Sequence, residues 1–504
     1  MSRQEGNREA VAKRPGNREA TLFVMPIACT VLGAKLVAIS LLGRTAPFMD
    51  QWEGEAAAIY APYLKGRFSL GDLLAGHNDH HILPTRLLSL IHLELAGEWN
   101  TRLEMTLGAL VHCALIIWLS VLLISLVSKR HRLILSCFIA LLFAIPIGYE
   151  NLLWGFQSQV YFVSLFGLGA LVGLSAARPF SWRWAGGICS AILSFLSFGT
   201  GVAAILAAAS LVSTQLVVGI RSRCRREVAG VALIWLIAVI LIIFQVLSST
   251  THSNLLIFVK GCVSMATPAG LAMIPAIWLC RRTLAMRPPV TDQAWVIVGM
   301  AWFVVMQLLL IAYGRGAAFA IRYLDILILL YPIAIAALLL RAETRVGVWS
   351  GRRRVWSAPA WLFVVVSTLV IFGYYISTVG AVEWSRSVEQ QAVNARAYFS
   401  TGNADHLRDR GGSLFDLSFP SSQRLAAILQ DPDVRATLPG DIRPAGADIA
   451  EARRHLWLRG SVSGETASVV ETALLISPAV VAIGLGSFFA LGLGGNHIRP
   501  KDHD

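Results

Sequence analysis

The chain has 504 residues, of which 56% are hydrophobic and 14% charged, and its formal net charge is +13. A mean hydropathy of +0.63 is more apolar surface than one water-soluble core can hide, so the bilayer must be its main solvent. The positive excess would suit a nucleic-acid binder, but it also arises where Lys and Arg flank many membrane spans on the cytoplasmic side, and the placement of the charges favours that second origin and no nucleic-acid partner.

Residues 1–20 are hydrophilic and basic and contain a short repeat, Gly6-Asn7-Arg8-Glu9-Ala10 recurring as Gly16-Asn17-Arg18-Glu19-Ala20. They read as a disordered cytoplasmic tail. The apolar run after them is followed by no small-residue cleavage site, which reads as an uncleaved anchor. A bilayer core of roughly 30 Å takes about 20 apolar residues in a helix, fewer when flanking residues snorkel. Runs of that kind fall at 21–43, 105–127, 133–148, 159–177, 185–198, 202–219, 229–247, 255–279, 293–312, 323–341, 358–379 and 468–494, the third and fifth being short. They predict an all-α polytopic membrane protein of about twelve transmembrane helices.

Lys129-Arg130-His131-Arg132, Arg178 with Arg183, Arg221 to Arg226, Arg281-Arg282 with Arg287, and the Arg341 to Arg354 segment fall on alternate connections. Basic residues are retained in the cytoplasm, so both termini belong inside and the segments 44–104, 149–158, 199–201, 248–254, 313–322 and 380–467 outside, as expected for a multi-pass protein of a bacterial inner membrane. The bundle then spans 21–379, followed by an external segment 380–467, a last helix 468–494 and a cytoplasmic tail 495–504. Cysteines stand singly at 29, 113, 137, 189, 224, 262 and 280, with none in the external segments and no paired spacing. A disulfide framework and a cysteine-based zinc site are not expected.

The first external segment carries Leu87, Leu88, Leu90, Ile91, Leu93 and Leu95, a pattern that predicts amphipathic helices along the membrane surface. The last predicts helices near 386–399 and 421–429, with Asp431-Pro432-Asp433 and Leu438-Pro439-Gly440 as turns, forming a small cap over the external mouth.

Four stretches could carry chemistry. In Asp50-Gln51-Trp52-Glu53, two carboxylates three apart share one face if the stretch is α-helical and could supply a base or a metal ligand; an acidic surface loop with a belt tryptophan accounts for the same residues. In His77-Asn78-Asp79-His80-His81, followed by Arg86, the side chains could contact phosphate, or His77, Asp79 and His80 could hold a divalent metal; a solvated capping turn before a helix opening at Pro84 is the alternative. Tyr149-Glu150-Asn151-Leu152-Leu153-Trp154 with Gln157 interleaves aromatic rings with amides and a carboxylate, the groups that stack on sugars and bond hydroxyls, or that form an aromatic belt. Arg315 and Arg322-Tyr323 break the positive-inside trend and suit a phosphate fork, or snorkelling at helix ends.

With its many spans, an acidic motif opening a long first external loop, surface helices, a late external segment and a His77 to His81 loop paired with Arg322-Tyr323, the chain resembles the GT-C superfamily of membrane glycosyltransferases. The likeness covers most of the chain as architecture and short stretches as motif. It implies transfer of a sugar from a polyprenyl-phosphate carrier to a glycan, lipid or protein acceptor on the external face. Asp50 would match the base of an inverting mechanism, with Glu53 orienting the acceptor. Arg315, Arg322, His77, Asp79 and His80 would hold the leaving phosphate directly or through a divalent cation, and Tyr149, Glu150, Trp154 and Gln157 would line the acceptor side. A second acidic pair found in some families of this superfamily is missing from the later external loops, so metal dependence stays open. Two rivals remain. A transporter or flippase of a lipid-linked or anionic solute would use Pro268, Pro275 and Gly199-Thr200-Gly201 as helix breaks. A non-enzymatic factor for envelope-polysaccharide assembly would tolerate Asp50→Asn.

Overall fold

A computed structural model describes residues 21–78, 80–248, 254–316, 318, 320–343, 348–408 and 414–494, and the two expected tails lie outside them. The regular elements of the described residues are all helices, and their one β pairing is an isolated bridge between His77 and His80. Among the described residues ten helices are long and apolar enough to cross a membrane, from Val24–Leu42 to the last at Ser463–Leu493. The chain is thus a polytopic helical membrane protein by length and composition.

The two remaining apolar runs also form helices, Lys129–Ala144 of 16 residues and Trp182–Phe195 of 14. At about 1.5 Å per residue they extend only about 24 and 21 Å. Both nevertheless run between the two ends of the bundle. At one end, Ser128 Oγ donates to Glu343 Oε1 at 2.6 Å, while Arg221 closes on the carbonyls of Leu174, Ser175 and Ala177. At the other, Trp154 Nε1 donates to the Phe48 carbonyl at 3.0 Å, and Leu83 N to Leu196 O at 2.8 Å. We call these the basic end and the capped end.

Two proline-containing segments, one expected as a helix break and one as a turn, behave differently from the sequence expectation. Pro268 and Pro275 lie inside one continuous helix, Leu255–Met286. A proline at 275 withdraws the amide that would bond the Leu271 carbonyl, and Trp361 Nε1 donates to that carbonyl at 2.8 Å instead, so the helix continues where a bare break was expected. Asp431-Pro432 is a helix start rather than a turn: Asp431 accepts from Asp433 N at 3.0 Å and caps Pro432–Thr437, where proline at the first position needs no amide. Gly199–Gly201 does break the chain, as a short 3₁₀ turn. A Cβ on Gly201 would stand 1.9 Å from the Ser194 carbonyl oxygen, so only glycine permits the reversal.

Two hydrophobic cores result. One fills the bundle and includes Leu168, Met300, Phe303 and Ile333. The other lies at the capped end, where Trp52, Trp99, Trp154 and Trp384 are buried together with residues of both long external segments. The helix Leu83–Ala96 shows how that end meets lipid. It turns Arg86, Ser89 and His92 inward and leaves Leu87 and Ile91 exposed, the reverse of a helix in water and the arrangement of one lying against lipid. The span beginning at Ala358 continues without a break into Ala381–Thr401, which carries the cap.

Candidate functional site

Asp50 is placed by its flanks. Met49 takes a left-handed backbone with φ of 49°, turning the chain sharply, and Phe48 N donates to Gln51 Oε1 at 3.0 Å, which starts the helix. From Trp52 to Tyr60 the helix is π-helical. Asp50 stands in the turn before this helix and Glu53 within it, and the two carboxylates part company. Glu53 is held by Arg424 of the cap through two bonds at 2.5 and 3.0 Å. Asp50 Oδ2 lies 3.9 Å from His77 Nε2. Gly54 makes room for this pairing, since a Cβ there would meet Phe156 at 2.6 Å and His77 Cε1 at 3.2 Å.

His77 and His80 close a tight turn through two backbone bonds, 2.7 and 3.0 Å long, with Asn78 at φ of 53°. Their rings go different ways. His77 stands edge-on to Phe156, its ring 5.0 Å from that ring, whereas His80 lies against Phe198 at 4.5 Å. His80 also lines a cavity of about 220 Å³ with Thr200, Tyr313, Arg315 and Tyr323, its walls otherwise mostly aliphatic. The turn therefore has Asp50 beside one histidine and a largely apolar cavity with a guanidinium beside the other. His81 leaves this group: its Nδ1 lies 2.9 Å from the Leu74 carbonyl and its ring faces Phe195 and Phe244. Arg86 is buried and donates to the carbonyls of Asp72 and Leu73, closing the short helix Leu70–Leu74. Asp79 lies outside the described residues, and among those described no group of three or more His, Cys, Asp or Glu could hold a metal ion.

The 149–157 stretch is buried under the cap. Tyr149, Glu150, Asn151, Trp154 and Gln157 are all buried, and Trp154 packs on Trp384 with ring centroids 5.4 Å apart. Glu150 accepts from Arg322 at 3.2 Å, and Asn151 Nδ2 donates both to the Arg322 carbonyl and to Asp325 Oδ2 at 2.8 Å. Burial pushes the Glu150 carboxyl up, with Arg322 opposing, and burial beside Glu150 pushes the Tyr149 hydroxyl up to about 12.

Sequence reasoning did not single out the groups beneath the site. Gln51 Nε2 donates to Glu55 at 3.0 Å and to Glu104 at 2.9 Å, Ser89 donates to Glu55 at 2.5 Å, and His92 Nδ1 lies 3.1 Å from Glu104. Burial raises the Glu55 carboxyl and lowers His92 to about 3, so that imidazole is neutral. Deeper in the bundle, Lys35 and His112 both lie on Tyr161, the His112 ring stacked at 4.1 Å. Charges inside apolar runs, Lys35 and Asp325 above all, are the signal that could have found them.

No protein-family model, no curated protein and no solved structure matches the chain. Its function is therefore argued from the site alone.

Proposed function

We propose that the chain is a GT-C-like membrane glycosyltransferase with twelve membrane crossings, both termini in the cytoplasm of a bacterial cell, and its capped end outside. The reading is supported most by one arrangement: the His77–His80 turn with the Asp50 carboxylate on one side and the cavity of Arg315 and His80 on the other. A polyprenyl chain suits the aliphatic walls, and its phosphate suits the guanidinium at their polar end. Asp50 takes the proton of an acceptor hydroxyl, whose oxygen forms a bond to the anomeric carbon while the bond from that carbon to the carrier phosphate breaks. The carrier leaves with the electron pair, and Arg315 and His80 meet the charge that accumulates there. Arg322 contributes less, because Glu150 already answers its charge. Glu53 is turned to Arg424 of the cap rather than to the acceptor. The acceptor is a glycan, lipid or protein of the envelope, and no step is routed through a metal.

Purified wild type and Asp50→Asn, each reconstituted with radiolabelled polyprenyl-phosphate sugars and an envelope extract, test the reading. Transfer by wild type, reduced by about a thousandfold or more in the variant, is expected. Equal transfer by both removes Asp50 as base. No transfer from any donor, with lipid-linked substrate changing leaflet in the same vesicles, replaces the transferase by a transporter.

A further inference from the structure

The turn that feeds the last span is held by an acid on the surface helix. On Leu83–Ala96, Leu87 and Ile91 form the exposed stripe, and Glu94 is the next position along that face. A bare carboxylate there would meet lipid. Glu94 is instead occupied: Tyr63 donates to it at 2.6 Å, and the backbone amides of Trp457 and Leu458 donate to it at 3.0 and 2.9 Å. Arg453 adds a second tie, donating to the Gly97 carbonyl at 3.1 Å. The segment that joins Ile449–Arg454 to Ser463–Gly494 is thus fixed to the end of the surface helix. Leu456 turns inward and is buried, whereas Trp457 is 87% exposed, with Leu458 beside it and Arg454 and Arg459 exposed on either side.

We infer that this turn is a membrane hook: Trp457 and Leu458 enter the headgroup layer of the leaflet on the capped side, and Arg454 and Arg459 bond phospholipid phosphates there. Depth favours it. The apolar part of the last helix opens near Ser468, and from Ser463 to Ser468 a helix rises only about 8 Å. A bilayer of roughly 40–45 Å around a core of about 30 Å leaves about 5–8 Å of headgroup layer on each side, so the turn stands within that layer or at its edge. This is the level at which tryptophan collects in membrane proteins, its ring on the apolar side and its N–H among polar groups. Continuity favours lipid over a protein partner, because the Leu87–Ile91 stripe that lies against lipid runs across Glu94 onto the turn. Guanidiniums complete the match, since they pair with phosphate oxygens in a fork. The inference needs only a chain that spans the membrane, and not the transferase reading.

The full-length chain with the photoreactive p-benzoylphenylalanine in place of Trp457, reconstituted in vesicles of phosphatidylethanolamine and phosphatidylglycerol and irradiated, provides the first test. Phospholipid adducts should form in a yield comparable to that from the same group at Leu475, an exposed residue inside the last span. They should be absent from the same group at Ser400, an exposed residue that stands about 30 Å along its helix from the end of the apolar run at 379. No lipid adduct at position 457 while position 475 is labelled, or adducts only to a second copy of the chain, overturns the inference. Charge removal provides the second test. Arg454 and Arg459 are exposed, so Arg454→Gln with Arg459→Gln leaves the packed core intact, and the yield at position 457 should fall roughly fivefold for each guanidinium lost. Arg424→Gln, on the cap, should leave that yield unchanged. An unchanged yield in the double variant, or an equal loss in Arg424→Gln, removes the phosphate contacts and with them the hook as stated.

Discussion

Two buried polar networks lie beneath the capped end, and they solve the same problem with opposite chemistry. Under the first external segment, Glu55 and Glu104 face one amide of Gln51, with Ser89 and His92 beside them and no Lys or Arg bonded to them among the described residues. Under the 149–157 stretch, Glu150 meets Arg322, and Asp325 meets the Asn151 amide. The first network is held by neutral donors and protonation, the second by opposite charges. Removing one partner should therefore be mild in the first and severe in the second, because an unpaired buried charge cannot be satisfied by rotating a hydroxyl.

Glycine gives the sharpest form of this contrast. A Cβ on Gly148 would stand 2.2 Å from Asp325 Oδ2, and one on Gly155 would stand 2.3 Å from Glu104 Cβ. Both alanine variants overpack, at about 1–3 kcal/mol each. Gly148→Ala should lose more, about 3–5 kcal/mol in total, because it drives a carboxylate away from its partners. Melting of the two variants in the same detergent measures the difference. If Gly155→Ala is the worse, the opposite-charge network is not the less tolerant one.

Arg322→Gln comes next, at about 1–3 kcal/mol, since Glu150 stays buried without its cation. The Glu150 carboxyl is already raised by burial, and the variant raises it further. A carboxyl raised on folding contributes stability that is complete below its unfolded value and lost as pH rises through its folded one. The deficit of the variant should accordingly widen as pH rises above the ordinary carboxyl range, and a deficit independent of pH would show that Glu150 does not titrate against Arg322. Glu55→Gln should run the other way and cost less, below about 1 kcal/mol, because an amide oxygen still accepts from Ser89. Wild type loses stability as pH rises above the ordinary carboxyl range, Glu55 being raised by burial, while the variant has no such loss there. The two melting curves should converge with rising pH, and divergence would place the charge, not the proton, on Glu55.

How much of this was legible beforehand follows from which forces act locally. The apolar runs and basic connections are local, and the helices and two ends of the bundle follow them. Even the short runs at 133–148 and 185–198 are helices, set between the ends by turns such as Gly201 against Ser194. That Asp50 and Glu53 go to different partners was not legible, because the helix starts only after Asp50, which stays in the turn that Met49 opens. Continuity through Pro275 depends on Trp361, 86 positions away in sequence and visible as a partner only once the helices pack. The aromatic residues of 149–157 have the composition of a sugar platform or a belt, and became core because the 380–467 segment covers them with Trp384 and Phe415. Lys35 and Asp325 were readable as misplaced charges, but the Tyr161 ring beside the one and the Asn151 amide on the other were not.

The smallest expected effect tests whether the cap is held by charge at all. Arg424 and Glu53 link the cap to the helix that follows Asp50, yet their side chains are 51% and 31% exposed. Solvent screens such a pair, which leaves about 0–1 kcal/mol. The cap has a stronger anchor in its buried aromatic residues, Trp384 against Phe48 at 5.0 Å among them. Arg424→Gln should then lower the melting temperature by a degree or two at most, roughly, and the shift should vanish in about 1 M salt. A larger loss that survives salt would mean that Arg424 positions the cap through contacts other than charge. Glu53 would then belong to the same rigid unit as Asp50, and Glu53→Gln should impair transfer together with stability.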